Sequence, residues 1–266
     1  MRRAVRLAYS CAGLLLAGCA SGPFDLIGAP GRGTADIPHY RAAMRAQHLA
    51  GIKVLDRLAW AESRLLAKAG GNAPDGFDPN RAAAVLGVGD PPRTAVLRQA
   101  LETVTAFNAL LIGDGGSDGA VPIWPASASV AEGAAMERIS AALHHIAPVL
   151  RRTSQDGVAG ATPKIRELLL ALRAATPAIY EILHVAEVVP GNLEDPDGIP
   201  AEGRTRLAAD RKSLAGWVLL IDQTLVTVEL AAITRRSGDP ADRAALIAAA
   251  IRLNTLADAV AARRGR

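Results

Sequence analysis

The chain has 266 residues, half of them apolar, 3% aromatic and 21% charged, with a formal net charge of +4. So large an apolar share excludes intrinsic disorder, and 25 Gly with 16 Pro, placed without a period, exclude a collagen-like or low-complexity chain. The length gives one large domain or two small ones ample chain to bury a core.

Residues 1–20 read MRRAVRLAYSCAGLLLAGCA, with Arg2, Arg3 and Arg6 ahead of the apolar stretch from Leu7 to Leu16. At about ten residues that stretch is too short to span a bilayer, which takes about 20, and it suits the core of a signal peptide. The segment Leu16-Ala17-Gly18-Cys19 resembles the lipobox of bacterial lipoproteins, a likeness confined to these first 20 residues. It implies a signal peptide over 1–18, cleavage before Cys19, lipidation of the Cys19 thiol and acylation of the new amine by a palmitate-type chain. Each buried methylene contributes about 0.8 kcal/mol, so several acyl chains hold far more firmly than one. Ala20, where an Asp would stand otherwise, implies sorting to the outer membrane with the body facing the periplasm. The alternative is an ordinary secretory signal cleaved near Ala20, with Cys19 incidental.

Loss of the three signal arginines lowers the net charge from +4 to +1. Cys11 leaves with the signal and lipid consumes Cys19, so no thiol remains for disulfides, thiolate metal sites or nucleophilic catalysis. A near-neutral body outside the cytoplasm argues against nucleic acid as a partner.

Residues 19–35 carry Gly22, Pro23, Gly28, Pro30, Gly31 and Gly33 without helical period. They read as a flexible lipidated tether with a reach of roughly 22 Å as a coil. Residues 36–266 read as one helical-bundle domain. Asp36 caps a first helix to about Ala69, with a buried stripe of Ile52, Leu55, Ala59 and Leu66 and with Tyr40 and Met44 further back. After a loop in which Asp78-Pro79 can start a short helix, a second runs from Arg93 to Ile112 on Leu97, Leu101, Val104, Asn108 and Leu111. Gly113–Pro125 is a loop. A third helix spans Ala126–Arg152 on Met136, Ile139, Leu143, Ile146 and Leu150, bent near its end by Pro148.

The fourth covers Thr162–Val188 on Ile165, Leu168, Leu172, Ile179 and Ala186, with a kink at Pro177. A fifth, Ala201–Arg235, sets Leu214, Val218, Ile221, Leu225, Val228 and Ala232 in steps of four and three. Its other faces carry Leu219, Leu220, Val226, Leu230 and Ile233, which predicts a central position. Trp217–Ile233 is the one stretch comparable to a membrane span, and Asp222, Gln223, Thr224, Thr227 and Glu229 inside it argue against that. Asp239-Pro240 opens a sixth helix to about Arg263, striped by Leu246, Leu253, Leu256 and Val260. No period-two alternation occurs, so the fold is predicted to be all-α, an up-and-down bundle of about six helices.

Chemistry-bearing patterns are sparse. Glu181-x-x-His184 has the spacing of one half of a di-iron site, but such sites need two of these motifs and two further Glu. Glu181 and His184 are therefore only weak metal candidates, and a surface ion pair or hydrogen bond is the plainer expectation. His144 and His145 diverge by about 100° on a helix and cannot easily share a metal. His39 and His48 lack a ligand partner at suitable spacing. Asp114–Gly119 fails as a calcium loop, with Gly116 and Pro125 at ligand positions. Glu194, Asp195 and Asp197 fall in ordinary turn formers. Arg151-Arg152, Arg235-Arg236 and Arg263-Arg264 fall in last turns, where cations offset the helix dipole. Asn108, on an apolar stripe, needs buried partners and fits a register-fixing role. The tryptophans Trp60, Trp124 and Trp217 read as packing residues.

No P-loop, dinucleotide fingerprint, Gly-x-Ser-x-Gly elbow or His-Glu-x-x-His occurs, and no cofactor is expected. The expectation is a non-enzymatic lipoprotein that meets the membrane through Cys19 and an envelope protein through its bundle. The alternatives are a membrane-active helical protein that inserts or oligomerises, and a small-molecule or metal-binding bundle.

Overall fold

Among the described residues, seven α-helices follow one another: α1 (Pro38–Gly71), α2 (Pro92–Ile112), α3 (Ala134–Arg152), α4 (Thr162–Ala174), α5 (Thr176–Glu187), α6 (Ala201–Ser237) and α7 (Pro240–Ala262). The computed structural model describes residues 38–71, 89–112, 133–152, 160–188 and 198–262. The expected signal peptide, Cys19, the expected tether, the helix start expected at Asp78-Pro79, the loop expected over Gly113–Pro125 and Arg263-Arg264 lie outside them. No strand occurs among the described residues, and the chain is the all-α bundle its periodicity predicts.

Helices α1, α2, α3, α4 and α6 touch in that order, and α7 lies against both α6 and α1, closing the ring. One contiguous apolar core fills it, with Leu55, Leu97, Phe107, Ile139, Ile146, Leu168 and Trp217 among its largest buried side chains. The stripes expected for α2, α3 and the 162–188 segment are buried at every named position.

Four expectations need correcting. The 162–188 segment is two helices, because Pro177 has no N–H to give the carbonyl of Arg173. The Thr176 hydroxyl donates to that oxygen instead, at 2.8 Å, and the chain turns at Ala175. The third helix does not run unbroken from Ala126: it starts at Ala134, and 126–132 lie outside the described residues. Gly133, at φ 118°, holds a backbone conformation outside the helix, and its carbonyl accepts from the N–H of Met136 at 2.9 Å. From there α3 runs through Pro148 to Arg152 without a break.

The stripe of α1 is turned by about a quarter of its circumference. Val54, Leu55, Leu58 and Ala61 are buried, whereas Ile52, Ala59 and Leu66 are only half-buried. The large aliphatics suggested the wrong phase because this helix packs inward through small residues, among them Ala43, Ala50 and Gly51. Lastly, α6 touches five other helices yet is not enclosed. Leu219, Val226 and Ile233 are 52%, 46% and 38% exposed.

Four segments, and not only Trp217–Ile233, are long and apolar enough by composition to cross a membrane: α2, α4 with α5, α6 and α7. The buried threonines of α6 are satisfied within their own helix. Thr224, Thr227 and Thr234 donate to the carbonyls of Leu220, Gln223 and Leu230 one turn earlier, at 2.6–2.8 Å. Gln223 reaches the carbonyl of Ala249 on α7. Such back-bonding serves equally well in a protein core and in lipid, so the threonines do not discriminate between the two.

Close approach of α6 and α7 depends on Gly216. A Cβ there would stand 2.6 Å from the Cγ2 of Val260, whose branched side chain has little freedom to move. Replacing a helical Gly by Ala normally gains about 1 kcal/mol, and overpacking costs about 1–3 kcal/mol. Gly216→Ala is therefore expected to destabilise the fold by about 1 kcal/mol in urea unfolding. A double-mutant cycle with Val260→Ala should show that most of this loss disappears when the valine is shortened.

Candidate functional site

Charged side chains concentrate where α1, α5 and α6 meet. Glu187, the last residue of α5, is buried at 1% exposure, and Asp210 on α6 is buried beside it. The Arg57 guanidinium, from α1, bridges the two acids. Its Nη2 donates to Glu187 Oε1 and to Asp210 Oδ2, each at 2.8 Å, and its Nε lies 3.1 and 3.2 Å from the two Asp210 oxygens. Arg206, one turn before Asp210, grips Glu187 from the other side through Nη2 at 2.8 Å and Nε at 3.1 Å. The Trp60 ring stacks on the Arg57 guanidinium at 4.3 Å, a cation–π contact that shields the charge without neutralising it. At Gly203 an added Cβ would press on Ile199, 3.0 Å from its Cγ2, while the Glu187 carboxylate would stand at ordinary contact distance.

Burial alone would raise the Glu187 carboxyl, but hydrogen bonds from Arg206 and Arg57 outweigh it and hold the group below the usual carboxylate value. Burial pulls Arg57 the other way and is likewise outweighed by its bonds to Asp210 and Glu187, so its pKa is raised. Glu187 is therefore charged at neutral pH and is held between two guanidiniums. Lys68 adds a further cation at the end of α5, donating to the carbonyl of Val188 at 3.0 Å.

Two other buried polar groups are also structural. Glu62 on α1 accepts the backbone N–H groups of Arg93 and Thr94, at 3.0 and 2.9 Å, and the Thr94 hydroxyl. It thereby caps α2, whose start has no capping side chain of its own. Asn108 takes the Tyr40 hydroxyl proton at 2.7 Å and donates to the Met44 sulfur at 3.1 Å, which supplies the partners its place on the stripe demands. Burial pushes the Tyr40 phenol far up, so it remains a donor. Trp217 Nε1 is the one buried side-chain polar atom among the described residues without a partner.

The weak metal candidates are not brought together with anything. Glu181 is exposed and His184 half-buried, its ring tilted 6.1 Å from that of Tyr180. No hydrogen bond or ion pair joins them, and no group of three or more His, Cys, Asp or Glu could hold a metal among the described residues. His144 bonds the carbonyl of Ser140, His145 lies 3.7 Å from Glu167, and His48 shares a hydrogen bond with Thr105. Burial lowers the pKa of His48. Of the arginine pairs, Arg236 bonds its own helix at the carbonyl of Ala232, but Arg235 reaches across to the last carbonyls of α2, at Leu110 and Leu111. The dipole it offsets is that of α2 as well as its own. Asp114–Gly119, Glu194, Asp195, Asp197 and Trp124 lie outside the described residues.

Among the clefts of the described surface, three bear on a candidate site. The first, about 440 Å³, runs between the α4–α5 break and α6 beside Arg173, Tyr180 and Arg211. The second, about 400 Å³, includes Arg93 and Glu181, and the third, about 370 Å³, includes Arg166 and Glu229. None of these three gathers two carboxylates. The chain matches no family model, no curated protein and no solved structure.

Sequence reasoning passed over Arg57, Glu187, Asp210 and Arg206, although one signal was present. Asp210 falls in phase with Leu207, Leu214 and Trp217, so a charge sits on a buried stripe. Removing one partner of a buried ion pair costs about 3–5 kcal/mol, because the other charge stays behind. Arg57→Met is expected to cost that much in urea unfolding. A depressed folded pKa stabilises above the ordinary carboxylate value near 4.5 and loses that contribution as pH falls through the folded pKa. Glu187→Gln should therefore flatten the acid limb of the stability profile below pH 4.5, measured as the midpoint of unfolding against pH.

Proposed function

We propose that this chain is a bacterial envelope lipoprotein, anchored through Cys19 to the outer membrane and facing the periplasm, whose helical body acts by contact with another envelope protein and not by catalysis. The anchoring rests on Leu16-Ala17-Gly18-Cys19 behind a basic start and a short apolar run. The contact role is supported by one observation: the Arg57–Glu187–Asp210 network and Glu62 join helix to helix, and none of these residues lines the three clefts described above. A membrane-active reading draws on the four apolar segments. Against it, α2, α6 and α7 bury stripes in a shared core, and α5 and α6 end in an ion network that lipid would oppose.

Cys19→Ser is expected to abolish palmitate labelling and cleavage before residue 19, and to remove the protein from the outer-membrane fraction. Normal processing and retention of that variant would defeat the anchoring. For the contact role, in-cell crosslinking of the acylated protein should recover the same envelope protein repeatedly. Purified protein should release no dye from liposomes.

A further inference from the structure

The cleft of about 440 Å³ beside the α4–α5 break has one wall from each side. Arg173, Thr176, Pro177 and Tyr180 stand at positions i, i+3, i+4 and i+7 and form one line across the break. Arg211, Leu214 and Val218 form the facing line on α6, three and four residues apart. Leu214 is buried, Val218 and Tyr180 are half-buried, and the lining is predominantly hydrocarbon. The volume falls within the roughly 300–1,000 Å³ of small-molecule sites, which pair apolar walls with a few placed polar groups.

The polar groups left available in this cleft are donors. Arg211 Nε donates to the Tyr180 hydroxyl at 2.8 Å, and the guanidinium lies 5.4 Å from the centre of the tyrosine ring. That pair fixes the arginine through Nε alone and leaves both Nη groups and the tyrosyl proton unspent among the described residues. Arg57, Arg98, Arg166, Arg173 and Arg206 each pair with a carboxylate, whereas Arg211 pairs with none among the described residues. An ordinary surface arginine is free to turn; this one is held in place and left unneutralised at the edge of hydrocarbon. Across the cleft Arg173 spends its Nε on Asp222 at 2.8 Å, and the Thr176 hydroxyl is spent on the Arg173 carbonyl. No lining residue is acidic. Two guanidiniums less the Asp222 carboxylate leave one positive charge, and its complement is one negative charge on an apolar body. A planar carboxylate meets both needs, because it accepts two parallel N–H bonds from one guanidinium. A phosphate monoester, with roughly two negative charges, exceeds the count.

We propose that this cleft binds an amphiphilic carboxylate, its head on the Arg211 guanidinium and the Tyr180 hydroxyl and its hydrocarbon along Pro177, Leu214 and Val218. Arg173 adds to the attraction, and Asp222 limits how much. Such a site goes beyond the contact role and rests on neither the lipid anchor nor an envelope partner.

The full chain, with Cys11 and Cys19 replaced by Ser so that no acyl chain competes, is expected to bind octanoate in calorimetry with a dissociation constant below about 1 mM. Octanol and acetate, each lacking one half of the recognised chemistry, should bind at least about tenfold more weakly. Arg211→Gln should weaken octanoate at least about tenfold while leaving octanol binding and the unfolding midpoint unchanged, since the side chain is exposed. Asp222→Asn should instead tighten octanoate by about twofold to fivefold, a gain that damage to the fold would not produce. Octanoate bound no more tightly than acetate overturns the proposal, as does binding indifferent to Arg211→Gln. Weaker binding in Asp222→Asn overturns the charge count, and a preference for octyl phosphate overturns the carboxylate head.

Discussion

Arg57 bonding at once to Glu187 and Asp210 is the constraint on which the arrangement of α1, α5 and α6 depends. Each of those helices meets its neighbours largely through Ala and Leu, and such faces slide over one another with little change in buried area. An ion network cannot slide. A shift of one helical rise moves a carboxylate about 1.5 Å from its guanidinium and leaves a buried charge short of a partner. Compared with apolar side chains of equal volume the network gains little stability, because desolvation offsets most of the Coulomb attraction. Its contribution is register: it admits one relative placement of three helices. The Trp60 face covers the Arg57 guanidinium in that placement.

The break at Ala175 makes the network possible. One straight helix over 162–187 would present a single buried line to a single set of neighbours. Divided, α4 packs on α2, α3 and α6, while α5 packs on α1 and α6. The cost is the backbone bond that Pro177 cannot make, and Thr176 recovers it locally through its hydroxyl. The last turn of α5 then delivers Glu187 to Arg57 and the Val188 carbonyl to Lys68, so two α1 cations meet the negative end of a short helix. A 12-residue helix is marginal alone; this one is held at its C-terminus by charges from outside itself.

What the sequence makes legible follows from how each helix is packed. In α2 and α3 the inward positions are large aliphatics three and four apart, and Leu97, Leu101 and Val104, or Ile139, Leu143 and Ile146, lie where their spacing puts them. In α1 the inward positions include Ala43, Gln47, Ala50 and Gly51, which carry little hydrophobic signal, because α2 and α6 come close through Leu101 and Trp217. Asn108 could be read, since an amide on an apolar stripe demands partners; that these are Tyr40 and Met44 is a tertiary fact no spacing encodes. The trans cap of α2 by Glu62 and the crossing of Arg235 to the end of α2 were illegible for the same reason. Both join segments more than 30 residues apart.

Exposed apolar residues at Leu219, Val226 and Ile233 bear on the same point from the outside. Helix α6 is apolar around most of its girth, and a helix of that kind is ordinarily enclosed. The ring of neighbours leaves it open on one side, because α7 reaches it along Gly216 and Gln223, and α4 along Asp222 and Glu229, with the seven-residue line between them. The two lateral contacts leave that line without polar decoration. Asp222 and Glu229 lean toward the arginines of α4, Gln223 leans toward α7, and Arg236 folds back on the Ala232 carbonyl. A surface from which every adjacent polar side chain is drawn aside has the composition of a buried one. The bundle alone therefore leaves the hydrophobic surface of its longest helix incompletely covered.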